Sequence, residues 1–178
     1  MLDSPVIECA VVGECGAGKT ALISALTRSP FPLTYEPTTD VTSEDVELPG
    51  GRRVRLWDTP GQEHDRWKLR SLFSQCSLFL VVYDIRSPNA LQDVKRWIST
   101  VAENRRSGTT TLMVVGNKAD CDEDRRITSA AARCVAQHHH CLYGEVSALT
   151  GYNLFRTFHL VVDASLDKRQ TTPPCRIL

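Results

Sequence analysis

Residues 13–20 read GECGAGKT, three glycines, a lysine and a threonine at the spacing G-x-x-x-x-G-K-[ST]. Glycines let successive backbone N–H groups turn inward around an anion, and a helix N-terminus adds partial positive charge. Placed between a strand and a helix, such a loop holds phosphates. Gly13, Glu14, Cys15, Gly16, Ala17 and Gly18 would form the cradle. Lys19 would bring a charge to the outer phosphates and Thr20 a hydroxyl to Mg²⁺, with Ala21 next in the helix. The loop alone does not separate ATP from GTP.

NKAD (117–120) does separate them. The Asp120 carboxylate can accept hydrogen bonds from both N1–H and the exocyclic amine of guanine. Adenine has no proton at N1, so a buried acceptor would be left unpaired. EVSAL (145–149) can offer a backbone N–H to guanine O6 through Ala148, flanked by Ser147 and Leu149.

The elements that must position these residues follow from periodicity. VIECAVV (6–12) is a β-rich run entering the glycine loop, and KTALISALTR (19–28) has helical spacing of Leu22, Ile23 and Leu26. SPFPLTYEPTTD (29–40) reads as a long loop, of the kind that is usually functional. Two strands follow around the turn PGG, then the loop TPGQEHD and a short helix near 66–74. SLFLVVYDI (77–85) reads as a strand buried on both faces, and Ser87–Pro88 as the start of a helix to about Ala102. TTLMVVGN (110–117) is a further strand. Thr128 or Ser129 caps a helix to about Gln137, CLYGEVS (141–147) is the last strand, and a final helix runs from about Tyr152 to Asp167. Strands alternating with helices predict a three-layer α/β fold with a mostly parallel sheet and helices on both faces. Ligands of such sheets bind at the loops after the carboxyl ends of the strands, where every motif above falls. The expected domain is 1–168, with 169–178 as a tail.

GECGAGKT, YEPTT, DTPGQE, NKAD and EVSAL occur in the order and near the spacing of the Ras superfamily of small GTPases, which the chain resembles over nearly all its length. LWDTPGQE and VYDIRSPNALQDVKRWI look most like Rab, with Ras next. The resemblance implies the P-loop small GTPase fold with a six-stranded sheet, and binding of GTP and GDP with Mg²⁺. It implies that Phe31 packs edge-on to guanine, that the Lys118 stem covers the base beside Asn117, and that Tyr35 folds over the phosphates. Thr38, with Thr39 one residue away, matches the threonine that coordinates Mg²⁺ and senses the γ-phosphate. Asp58 matches the carboxylate that holds Mg²⁺ through water. The Gly61 N–H should reach the γ-phosphate, and Gln62, acting with Lys19, matches the glutamine that orients the attacking water. Partners implied are an exchange factor, a GTPase-activating protein and effectors, met through the switch loops.

Departures from the pattern are Pro60 in place of alanine, Leu149 in place of lysine, and a shortened, altered segment between the switches. Cys15 stands where Ras keeps glycine and Rab commonly serine, and its size predicts tolerance. The rival reading is a GTP-binding interaction module with little hydrolysis or switching. An ATP-dependent kinase is opposed by NKAD.

Lys plus Arg equals Asp plus Glu, 21 against 21, which gives no electrostatic case for nucleic acid. The seven cysteines include no C-x-x-C pair, and the N-terminus has no basic region before its apolar run. Both features predict a cytoplasmic chain with free thiols. Cys9, Cys76, Cys121, Cys134 and Cys141 read as small, mostly buried apolar residues, and HHH (138–140) as a surface helix end. The final CRIL fits C-a-a-X with a leucine that favours geranylgeranylation of Cys175, so part of the population is expected on the cytosolic face of a membrane.

Overall fold

Unbroken apolar runs demand burial on both faces, and the sheet supplies it. The computed structural model describes residues 6–32, 34, 36–61, 69–105 and 110–171, the last three as backbone only. Its strands are β1 (Ile7–Val12), β2 (Thr42–Leu48), β3 (Arg52–Asp58), β4 (Leu78–Asp84), β5 (Thr111–Asn117) and β6 (Leu142–Glu145). Its helices are α1 (Lys19–Thr27), α2 (Leu69–Gln75), α3 (Ala90–Asn104), α4 (Ser129–His138) and α5 (Leu154–Thr171). The six strands form one sheet in the order β2-β3-β1-β4-β5-β6. Only the β2–β3 pair is antiparallel, closed by the turn before Arg52, as a hairpin requires.

Two cores cover the sheet. On one face α1 and α5 pack Leu22, Leu26, Leu154, Phe158 and Val162 against Val11, Leu80 and Val115. On the other, α2, α3 and α4 pack Phe73, Val94, Trp97, Val101 and Ala136 against Val12, Phe79 and Val114. The α3 residues Ala90, Val94, Trp97, Ile98 and Val101 form the apolar stripe that a 3.6-residue period allows. Phe73 and Phe79 meet edge to face at 5.2 Å. Register then sets the site. Val11 pairs with Asp58, Asp84 with Asn117, and Gly116 with Glu145, so five strands end along one edge.

Several expected boundaries shift. The helix expected from Ser87–Pro88 begins at Ala90 and reaches Asn104. The Ser87 carbonyl instead accepts the Ala90 N–H, while Asp84 Oδ1 holds the Arg86 N–H, so residues 84–89 fold around Asp84. β6 is confined to Leu142–Glu145, and α5 runs four residues past Asp167. At α4 the Thr128 hydroxyl accepts the Ala131 N–H, as its sequence suggests. Cys9 and Cys76 are buried, but Cys121 and Cys141 are half-buried and Cys134 is exposed. Cys134 lies between Ala132 and Ala136, which hold the buried face of α4, and so points away from the core. His138 ends that helix, where a cation suits the dipole. No described helix is long and apolar enough to cross a membrane.

Candidate functional site

The phosphate loop joins β1 to α1. Gly18 caps α1 at φ 88° without a side-chain hydrogen bond, and no acidic residue occupies the first turn. The helix N-terminus is therefore left for an outside anion. Lys19 is 6 % exposed and lies along its own loop, donating to the Gly13 and Glu14 carbonyls at 3.0 and 3.1 Å. Burial pushes its pKa down, against the pull of Asp58, Cys15 and Glu14. Cys15 is exposed at the loop tip. Gly61, at the start of the second loop, backs onto this tip: a Cβ there would lie 2.5 Å from the Cys15 nitrogen. No other residue type fits that approach.

Oxygen atoms converge beside the loop. The Thr20 hydroxyl donates to Asp58 Oδ2 at 2.6 Å and lies 3.1 Å from the Thr38 hydroxyl. Thr39 turns instead to Asp40, so the first loop presents Thr38 here. Asp58 is 5 % exposed, and its Oδ1 is buried without a hydrogen-bond partner among the described residues. Burial pushes its carboxyl up, against the Thr20 hydrogen bond and the Lys19 charge. An orphaned carboxylate oxygen costs free energy unless something fills it. Two hydroxyls and a carboxylate make a hard oxygen set, and they fit Mg²⁺. Thr59, fully buried, donates to the Val11 carbonyl at 2.7 Å and anchors the start of the second loop on β1.

The third corner gathers NKAD and EVSAL. Asn117 is buried, with Nδ2 donating to the Ala17 carbonyl at 3.0 Å and Oδ1 accepting the N–H groups of Lys118 and Ala148. The Ala148 N–H expected at guanine O6 is thus engaged by Asn117. Lys118 donates to the Gly16 carbonyl at 2.7 Å and to Asp84 Oδ2 at 2.8 Å. Asp120 is exposed at the edge, accepting from the buried Ser147 hydroxyl and from the Cys121 thiol. Burial raises its pKa, but those two hydrogen bonds outweigh it and hold the carboxyl below its ordinary range. Leu149 and Phe31 are exposed, 64 % and 38 %.

A cleft of about 720 Å³ runs past these groups, lined by the phosphate loop, Thr38, Asp58, Gly61 and Lys118 together with Ala21. A nucleotide-sized ligand fits that volume. Tyr35, Gln62 and Cys175 lie outside the described residues.

Two residues and one contact escape sequence reasoning. Asp84 orients Lys118 and is held by Arg86 through both carboxylate oxygens; its one signal was a charge ending the apolar run LFLVVYD. Arg125 grips Glu145 with two hydrogen bonds, joining the segment after NKAD to the start of EVSAL. Glu14 accepts the indole N–H of Trp97, and nothing in GECGAGKT indicates that contact.

Comparison with known proteins adds one finding to this geometry. A family model described as the Ras family matches residues 8–167, nearly the whole chain. With GECGAGKT, NKAD and EVSAL gathered at one edge of a six-stranded α/β sheet, this chain belongs to the Ras family and is a small GTPase.

Proposed function

We propose that the chain is a switch that binds GTP and GDP with Mg²⁺ and hydrolyses GTP slowly, at about 10⁻⁴ s⁻¹ as unassisted Ras does. The roles run through the described contacts. Thr20, Thr38 and Asp58 would hold the metal, the last through water, and Lys19 would neutralise the outer phosphates. Asp120 would read guanine, with Ser147 fixing its carboxylate and Lys118 covering the base. Gln62 would orient the attacking water. When bound, Mg²⁺ supplies charge for the phosphate oxygens.

The observation that carries this reading is the contact of Thr38 with Thr20, 3.1 Å between hydroxyls. It brings a residue of the 31–40 loop to the metal corner, where a ligand present in only one nucleotide state can hold or release it. Loops 31–40 and 59–70 would then meet an exchange factor, a GTPase-activating protein and effectors. Rab-like roles in membrane trafficking or signalling suit the LWDTPGQE and VYDIRS stretches. A prenyl group on Cys175 would place part of a cytoplasmic population on a membrane.

Hydrogen exchange of residues 36–40 tests the switch. With Mg²⁺ and a non-hydrolysable GTP analogue, these amides should exchange at least about tenfold more slowly than with GDP. Thr38→Ala should abolish the difference. Equal exchange in both states would favour the interaction-module reading.

A further inference from the structure

A buried indole N–H needs an acceptor, and Trp97 finds one outside its own helix. Trp97 is 1 % exposed in the α3 stripe, and its Nε1–H donates to Glu14 Oε1 at 2.9 Å. Arg96, the preceding residue, reaches the same oxygen at 3.3 Å while also binding Asp93. Two residues of α3 therefore hold the Glu14 carboxylate.

The backbone of Glu14 is part of the phosphate cradle. Its carbonyl accepts Lys19 Nζ and the Ala17 N–H, which closes the turn of the loop. The Glu14–Cys15 peptide is also the wall against which Gly61 packs, with the would-be Cβ 2.8 Å from the Glu14 carbonyl carbon. One residue thus joins three parts: α3 by its carboxylate, Lys19 by its carbonyl, and the second loop by its peptide.

We propose that Trp97 and Arg96 are positioning residues for the phosphate loop, acting through Glu14 to set how fast nucleotide leaves and how well Gly61 is seated for hydrolysis. This rests on the nucleotide-switch reading above. Neither α3 side chain need touch the nucleotide. Freeing the Glu14 carboxylate lets the Glu14–Cys15 peptide shift, and Lys19 and Gly61 shift with it.

The test uses the full chain loaded with a fluorescent GDP analogue in Mg²⁺, and single-turnover GTP hydrolysis beside it. Glu14→Ala and Trp97→Phe should each speed release by about tenfold, the scale of one hydrogen bond to a charged group. Glu14→Gln keeps an acceptor oxygen for the indole and should stay within about threefold of the original. The double variant Glu14→Ala/Trp97→Phe should release no faster than either single one, because both break the same link. Release and hydrolysis within about twofold of the original in Glu14→Ala, or additive losses in the double variant, would overturn the proposal. Should Trp97→Phe fail to fold, Glu14→Ala against Glu14→Gln decides alone. Preference for GDP over ADP is read at Asp120 and should survive in every variant. Its absence from the original protein would overturn the guanine reading, with the relay still judged by the release rates of whichever nucleotide binds.

Discussion

Asp84 shows how one side chain can hold a site without lining it. Burial alone would raise its carboxyl, but the fork of Arg86 and the Lys118 ammonium outweigh that and bring it down to about 2. The folded value lies below the ordinary 3.8, so the native state favours the charged form. Its contribution is present above pH about 4 and is lost as pH falls toward about 2. Asp84→Asn should therefore lower the denaturant midpoint at pH 6 and differ less and less from the original on acidification. Equilibrium unfolding in urea from pH 6 to 2.5 checks this; a constant gap across that range would contradict it. At pH 7 the same variant should weaken GDP binding, since a neutral amide with one acceptor oxygen cannot hold both Arg86 and Lys118 as the carboxylate does.

The loop-to-helix turn at Gly18 argues the same case for an element. Its φ of 88° is a conformation L side chains rarely adopt, and an added Cβ would collide with Asn117 Nδ2. Gly18→Ala should cost about 1–3 kcal/mol in stability and displace the asparagine that links the phosphate loop to NKAD. Loss of at least tenfold in GDP affinity by calorimetry is the expected result; unchanged affinity would mean that this turn does not position the site. Elements of this kind were legible in the sequence where a local rule dominates. The apolar run of β4 and the glycine turn read correctly, and the cap of α4 narrowed to Thr128 or Ser129, because neighbours in sequence decide them. Ser87–Pro88 misled because Asp84, tied to Lys118 across the sheet, draws residues 84–89 into a turn of its own. Cys134 misled because composition says what a thiol tolerates, not which side of α4 it occupies.

At the scale of the whole molecule, parallel register gathers motifs that lie up to 100 residues and more apart in sequence, as in the Asn117–Ala17 hydrogen bond. The order of motifs sufficed to read their gathering at one edge, because the loops after parallel strands fall on the same side of the sheet. The contacts between motifs were not legible: Glu14–Trp97, Asp84–Lys118 and Arg125–Glu145 pair ordinary residues that only tertiary packing brings together. The same packing leaves two costs, the buried ammonium of Lys19 and the Oδ1 of Asp58, which has no hydrogen-bond partner among the described residues. A bound nucleotide with Mg²⁺ would offset both, and at a hundredfold excess over Kd it would stabilise the fold by about 2.7 kcal/mol. The nucleotide should therefore stay with the protein through purification in Mg²⁺. Denaturing the purified chain and chromatographing what it releases tests the account most directly. About one GDP or GTP per chain is the predicted result, falling sharply in Lys19→Ala. Adenine nucleotide in its place, or full occupancy retained by Lys19→Ala, would contradict the account.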